Sequence, residues 1–280
     1  MSVYLVVLFA ALLHASWNAI VKGGTDKLLS TVLLTGCGAV MALLLLPWLA
    51  QPAAASWPYL GASVGLQVVY FILVARVYHL ADMSQTYPIM RGTAPLLVAL
   101  VSVGFLHEHL PPLALLGIGL ICLGILAMAF SRRAVRPTPS QRLGLLLALL
   151  NAGVIAAYTL VDGLGVRRSG APAAYTLWLF LLTGLVLIGW VLLMRRRAFV
   201  AYAATYWRMG IVSALGTLAS YGLALWAMTL APVAVIAALR ETSILFGVLI
   251  AGLFLKERLS AARIVGASII VAGAVVLRLA

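Results

Sequence analysis

The chain is divided almost entirely among apolar runs of one length. They fall at about 3–21, 28–50, 59–80, 84–106, 111–130, 143–162, 173–194, 207–229, 232–255 and 260–279, each about 19–24 residues long. At 1.5 Å per residue such a run makes a helix about 30 Å long, the thickness of a bilayer's hydrocarbon core. Only helices and closed barrels satisfy their backbone in that layer. Barrel strands alternate in character over about ten residues, and these runs do not. The expected fold is all-α, a polytopic membrane protein of ten transmembrane helices.

Composition closes the other routes. The chain is 65% apolar and 9% charged, too little polar surface to cover a soluble core of this size and far too apolar for disorder. Ten spans use about 200 of the 280 residues, so no extramembrane domain fits. The net charge of +13 does not point to nucleic acid, because the basic residues sit in short clusters between apolar runs, as in cytoplasmic loops. Cys37 and Cys122 lie inside apolar runs without disulfide or metal spacing, and read as packing residues. No basic segment precedes the first run, so it reads as a retained helix rather than a signal peptide.

Gly and Pro mark most boundaries, and the connection Ser131–Arg142 carries four arginines and two prolines. It separates two halves, 1–130 and 143–280, with 131–142 as a basic linker. The halves repeat. At an offset of 149, Arg91 meets Arg240, Leu106 meets Leu255, Glu108 meets Glu257, Leu110 meets Leu259, Gly117 meets Gly266 and Gly124 meets Gly273. Five spans per half is an odd number, so the second copy enters the membrane from the opposite side. Inverted repeats of this kind place a substrate site near the midplane, at their interface.

The "LxLxErL"-type segment followed by glycines seven residues apart resembles the EamA family of the drug/metabolite transporter superfamily. The resemblance runs over about 3–130 and 143–279, with His107 and His109 where the second copy has Lys256 and Arg258. It implies a carrier of ten helices in a 5+5 arrangement around a central cavity, and it names no substrate. It also implies cytoplasmic termini, whereas the charges favour both termini outside: thirteen loop Lys and Arg fall on one side and three on the other.

Polar groups inside a span are expensive, by roughly 2.5–3.5 kcal/mol each when ionised at mid-membrane, and so mark candidate sites. Arg91 lies roughly 10 Å into the fourth run, beside Gln85, Tyr87, Pro88 and Pro95, whose prolines free carbonyls toward a cavity. The alternative is a pairing with Asp82 or a snorkelling side chain. Arg240 is followed by Glu241 in the ninth run; on one helix the two point about 100° apart, so one would line the cavity while the other braces a neighbour. Glu241 and Asp162 are the candidate coupling carboxylates, with a structural Arg–Glu tie as the alternative for Glu241.

The remaining candidate substrate contacts are Trp17, Asn18, Tyr70, Tyr78, Asn151, Tyr158, Tyr221 and Trp226, beside His14, Gln67 and Ser220. Such aromatic groups suit an amphipathic ligand but equally an interfacial belt, to which Trp48, Trp57, Trp178 and Trp207 are assigned. His79, His107 and His109 sit near run ends and take no role. Gly61/Gly65 and Gly117/Gly124 read as close-packing positions. The cavity is expected among the first, third, fourth, sixth, eighth and ninth helices.

No phosphate-binding loop, metal-ligand spacing or nucleophile triad is present in the sequence, so no catalytic residue, cofactor or metal is expected. The reading that results is a secondary transporter of the cell membrane (the inner membrane in a Gram-negative bacterium). It would move small polar or amphipathic metabolites, amino acids and other organic anions among them, by alternating access. Its partners are a small-molecule substrate and the lipid bilayer; nothing in the sequence sets an oligomeric state. The alternative is a membrane-embedded enzyme or lipid-handling protein, which would gather titratable groups near one interface. The acidic residues are instead dispersed, with Glu241 alone read as well inside a run.

Overall fold

The structure, a computed structural model, describes residues 2–22, 26–129, 138–253 and 260–280. The repeat matches at Leu255, Lys256, Glu257, Arg258 and Leu259, and the linker positions 131–137, lie outside the described residues. The described chain is helical and contains no strand. In order it forms α1 (Val3–Lys22), α2 (Lys27–Leu45), α3 (Trp57–Leu80), α4 (Met83–Gly104), α5 (Pro112–Ala129), α6 (Pro139–Ser169), α7 (Pro172–Met228), α8 (Val233–Arg240), α9 (Ser243–Leu253) and α10 (Ala261–Leu279). Among the described residues, eight stretches are long and apolar enough to cross a membrane, with the shorter apolar stretch Pro112–Met128 beside them.

Local chemistry sets the ends. Asp26 caps α2 by accepting from the Leu29 N–H. Thr138 and Gln141 form a capping box that starts α6 with Pro139 in its first turn. The helix therefore begins inside the expected linker rather than at 143. It also continues past 162 to Ser169, where Gly170 turns left-handed at φ 64°. Arg167 and Arg168, expected in a loop, occupy the last helical turn, where the helix dipole favours cations.

Two breaks in the helices matter more, the first of them falling where the sequence separates the runs 173–194 and 207–229. The 57 residues of α7 would extend about 85 Å if straight. Non-helical backbone at Arg195 and Tyr206 instead breaks it into limbs 172–194 and 207–228, with a short helical stretch between. Positions Gly184 and Gly210, one on each limb, both press against α2 between Leu33 and Ala39, so the limbs run back along the same helix. The expected ninth helix is also two pieces. α8 ends at Arg240, Glu241 caps it, and α9 begins at Ser243.

The glycines shared by the two halves pack on each other. A Cβ on Gly124 would come within 2.7 Å of the Gly266 carbonyl, and one on Gly273 within 2.8 Å of that of Gly117, so α5 and α10 cross with their backbones in contact. Gly61 and Gly65 differ from expectation. Nothing lies within 4 Å of their missing side chains, because that face of α3 points away from the bundle. Every residue of α8 is buried, which puts this short helix at the centre, against α1, α4, α5, α6 and α7.

Candidate functional site

The C-terminal end of α8 opens onto a hollow. Its walls are Arg91, Ala94, Pro95 and Val98 of α4, then Ile155, Tyr158 and Thr159 of α6, and finally Ala237, Arg240 and Glu241. Pro95 is four residues after Arg91 and has no N–H, so it withdraws the donor that the Arg91 carbonyl would take in a regular helix. Arg240 and Glu241 both face the hollow. Both side chains line it, so lining the hollow is not divided between them as expected; Glu241, the C-cap of α8, follows directly on its last helical residue.

Arg91 pairs with Glu241, not with Asp82. Its Nε lies 2.8 Å from Glu241 Oε2, with the two side chains 10% and 6% exposed. The contact is out of line for hydrogen bonding, so the attraction is Coulombic, and Arg91 Nη2 has no hydrogen-bond partner among the described residues. Arg240 is held differently, its guanidinium 4.9 Å from the centre of the Tyr221 ring. Among the described residues it has no carboxylate within 4 Å. Two guanidiniums and one carboxylate line the hollow. The space is tight, with room for roughly one water.

Asp162 sits behind this wall. It is fully buried, and it accepts from Tyr221 Oη at 2.6 Å and Tyr175 Oη at 3.1 Å. Its depth was not expected from a run ending at 162; the extension of α6 to Ser169 carries it inside the bundle. The same Tyr221 thus touches Asp162 through its hydroxyl and Arg240 through its ring. Glu241 is accordingly not the only carboxylate well inside a helix bundle.

The other candidates spread in layers. Tyr70 of α3 stands edge-on to Tyr158 at 5.9 Å. Tyr78 packs in the cluster of Val77, Ile89, Met90 and Ala94. Tyr87 is half-buried one turn before Arg91, and Gln85 lies in the first turn of α4, away from the hollow. Asn151, fully buried, directs Nδ2 at Met90 Sδ at 3.0 Å, and its Oδ1 has no partner among the described residues. On α1, Asn18 donates to the His14 carbonyl, His14 stands edge-on to Trp17, and the Trp17 indole N–H is buried without a partner among the described residues. Trp226 is 37% exposed. Five residues after Tyr221, it points about 140° away on the same helix and does not reach the hollow.

The first, third and eighth expected helices therefore stand behind the wall, which is built from the fourth, sixth and ninth. Tyr175 and Thr159 are site residues that the sequence reading lacks. A buried Asp needs donors, which is a reason to search for hydroxyls, but a partner on another helix carries no sequence signal. Among the described residues no cluster of His, Cys, Asp and Glu is arranged to hold a metal ion.

Comparison with known proteins adds a sequence pattern and a fold. The pattern of the EamA-like transporter family matches residues 142–279. A solved crystal structure, described only as that of a protein, matches 99% of this chain and 95% of its own, with a TM-score of 0.76 at 16% identity. Identity that low makes it a likeness of fold alone. No curated protein sequence matches the chain.

Proposed function

For a chain that belongs to the EamA-like transporter family, within the drug/metabolite transporter superfamily, we propose secondary transport of small organic solutes, anions among them, by alternating access across the cell membrane. The observation that carries this reading is the meeting of Arg91 and Arg240, one from each half, at one narrow hollow. Glu241 offsets one guanidinium, and Arg91 Nη2 has no hydrogen-bond partner among the described residues. A carboxylate entering the hollow would gain charge-assisted bonds that the empty site cannot make. The tight space means that entry requires movement, which suits a carrier that opens to one side at a time.

We count ten spans, taking the two limbs of α7 separately, joining α8 with α9, and including α5. Support for opposite entry of the halves comes from the ends. Ser140 at the start of α6 bonds the Leu80 carbonyl at the α3–α4 turn, one helix length away from where α1 begins. The mutual packing of Gly117 and Gly124 against Gly273 and Gly266 fits a twofold relation between α5 and α10. Glu241 and Asp162 are the carboxylates placed for coupling to a gradient.

The test is uptake into proteoliposomes of a panel of labelled carboxylates, zwitterions and cations, with and without a pH gradient. Anionic or zwitterionic solutes should enter, and Arg91→Ala and Arg240→Ala should each reduce entry at least tenfold. Unchanged uptake of every solute by both variants would falsify the assignment.

A further inference from the structure

The bend of α7 carries a second feature, independent of the transport reading. Between the breaks at Arg195 and Tyr206, residues 196–205 form a helical stretch with two unlike faces. Phe199, Tyr202, Ala203 and Tyr206 recur at helical spacing and pack on Leu29, Val32, Leu33, Leu187 and Val191. Tyr202 Oη lies 2.6 Å from Ser30 Oγ, and Arg195 Nη1 lies 3.2 Å from Asp26 Oδ2. The stretch is thus pinned to the start of α2 along its inner face.

Its outer face is exposed and basic. Arg196, Arg197, Val200, Ala201 and Ala204 line one shallow groove. Among the described residues neither Arg196 nor Arg197 has a carboxylate within 4 Å. Exposed apolar groups flank the stretch in sequence: Leu193 is 83% exposed, Met194 69% and Trp207 50%, with the Arg208 guanidinium 5.3 Å from the Trp207 ring centre. A soluble anion would have no use for those apolar groups. An anionic phospholipid uses both parts, phosphate against paired guanidiniums and acyl chain against Leu193 and Met194. The groove also lies at the end of the bundle to which the charge bias assigns the cytoplasm, where the anionic leaflet lies.

We propose that the arginine face of residues 196–205 is a docking site for the headgroup phosphate of an anionic phospholipid. Near an anionic surface each arginine is worth about a fivefold gain in affinity, so removing both charges should weaken binding about 25-fold.

The experiment measures binding of fluorescent phosphatidylglycerol to the full chain in uncharged detergent. The Arg196→Gln/Arg197→Gln variant should bind at least tenfold more weakly, and Arg196→Lys/Arg197→Lys, which keeps the charge, should bind within about fivefold of the wild type. Arg278→Gln, at the C-terminal end of α10, serves as the control and should bind normally. Phosphatidylcholine and free glycerol phosphate should fail to compete at concentrations where phosphatidylglycerol does. Equal binding by the double Gln variant overturns the proposal, as does an equal loss in Arg278→Gln, which would mark general charge attraction. Effective competition by glycerol phosphate overturns it in favour of a soluble anion site. Thermal unfolding of each variant separates lost binding from lost fold.

Discussion

Burying the Arg91 guanidinium to 10% exposure removes most of its hydration, and the Glu241 carboxylate at 2.8 Å offsets that loss. Taking away one member strands the other. Glu241→Gln should lower stability by about 3–5 kcal/mol, read as a fall in the thermal midpoint in detergent. The double variant Arg91→Leu/Glu241→Leu removes both buried charges and should recover most of that loss while uptake stays abolished; a double variant as unstable as the single would show that the pair does not tie α4 to α8. Tyr221 separates two contacts in the same spirit. Tyr221→Phe keeps the ring over Arg240 but removes the hydroxyl from Asp162, and should cost about 1–3 kcal/mol. Tyr221→Leu removes both, so its uptake should fall below that of Tyr221→Phe; equal rates would rule the ring contact out of function. Arg91, Arg240 and Glu241 were legible because a charge inside an apolar run stands out at once. Their pairing was not. Asp82 is near Arg91 in sequence and Glu241 is far, and only the packing of α8 against α4 chooses between them.

Hydropathy sums along the chain, so spans could be read from it, but helix ends depend on single bonds. The break after Arg240 occurs in Arg-Glu-Thr-Ser, with neither Gly nor Pro to announce it. It nevertheless ends α8 directly at the hollow that Arg240 and Glu241 line. Pro139 read as a linker residue, yet the capping box built by Thr138 and Gln141 makes it a helix start. The outer stretch 196–205 reads as a connection in the sequence because its inner face holds only Phe199, Tyr202, Ala203 and Tyr206, too short a pattern for a spanning-length window. Glycine pairs show what an element needs from composition. Gly117 and Gly124 lie where helix backbones meet, and Gly61 faces open space. Gly124→Ala places a methyl 2.7 Å from the Gly266 carbonyl oxygen, and backbone on both sides leaves nothing soft to move. We expect a loss of about 1–3 kcal/mol. Gly61→Ala meets nothing and should be neutral or stabilising by up to about 1 kcal/mol. Equal thermal midpoints for the two variants would mean that α5 and α10 do not cross as described.

The proposed alternation requires a contact that breaks on the side that opens, and among the described residues Arg167 forms a clamp of suitable reach. Arg167 at the end of α6 donates from Nη1 to Glu108 Oε1 at 2.8 Å, from Nε to the Met228 carbonyl at 2.7 Å and from Nη2 to the Ala231 carbonyl at 2.9 Å. It thereby joins the α4–α5 connection of the first half to the α7–α8 turn of the second. This end also holds Ala53, whose N–H donates to the Ser169 carbonyl, and the positive-inside bias places it outside. The topology implies that Ala53→Cys is labelled by a membrane-impermeant thiol reagent on intact cells, whereas Ala201→Cys, at the bend of α7, is labelled only after permeabilisation; both chains need Cys37 and Cys122 replaced. The reverse pattern would put both termini inside. On that frame the clamp can be tested without disturbing the arginine's two backbone contacts. Glu108→Gln removes the charge from a pair that is only partly exposed, 32% and 13%, and solvent screening limits its worth to about 1 kcal/mol. That is roughly a fivefold shift toward the state open at this end. A cysteine at the buried wall position Ala237 should then react about five times faster with reagent supplied from the clamp side, and no faster from the other. If Glu108→Gln leaves the rate unchanged, or raises it only from the side of the arginine bend, the clamp is a static brace and closure of this end rests on the apolar packing of α8.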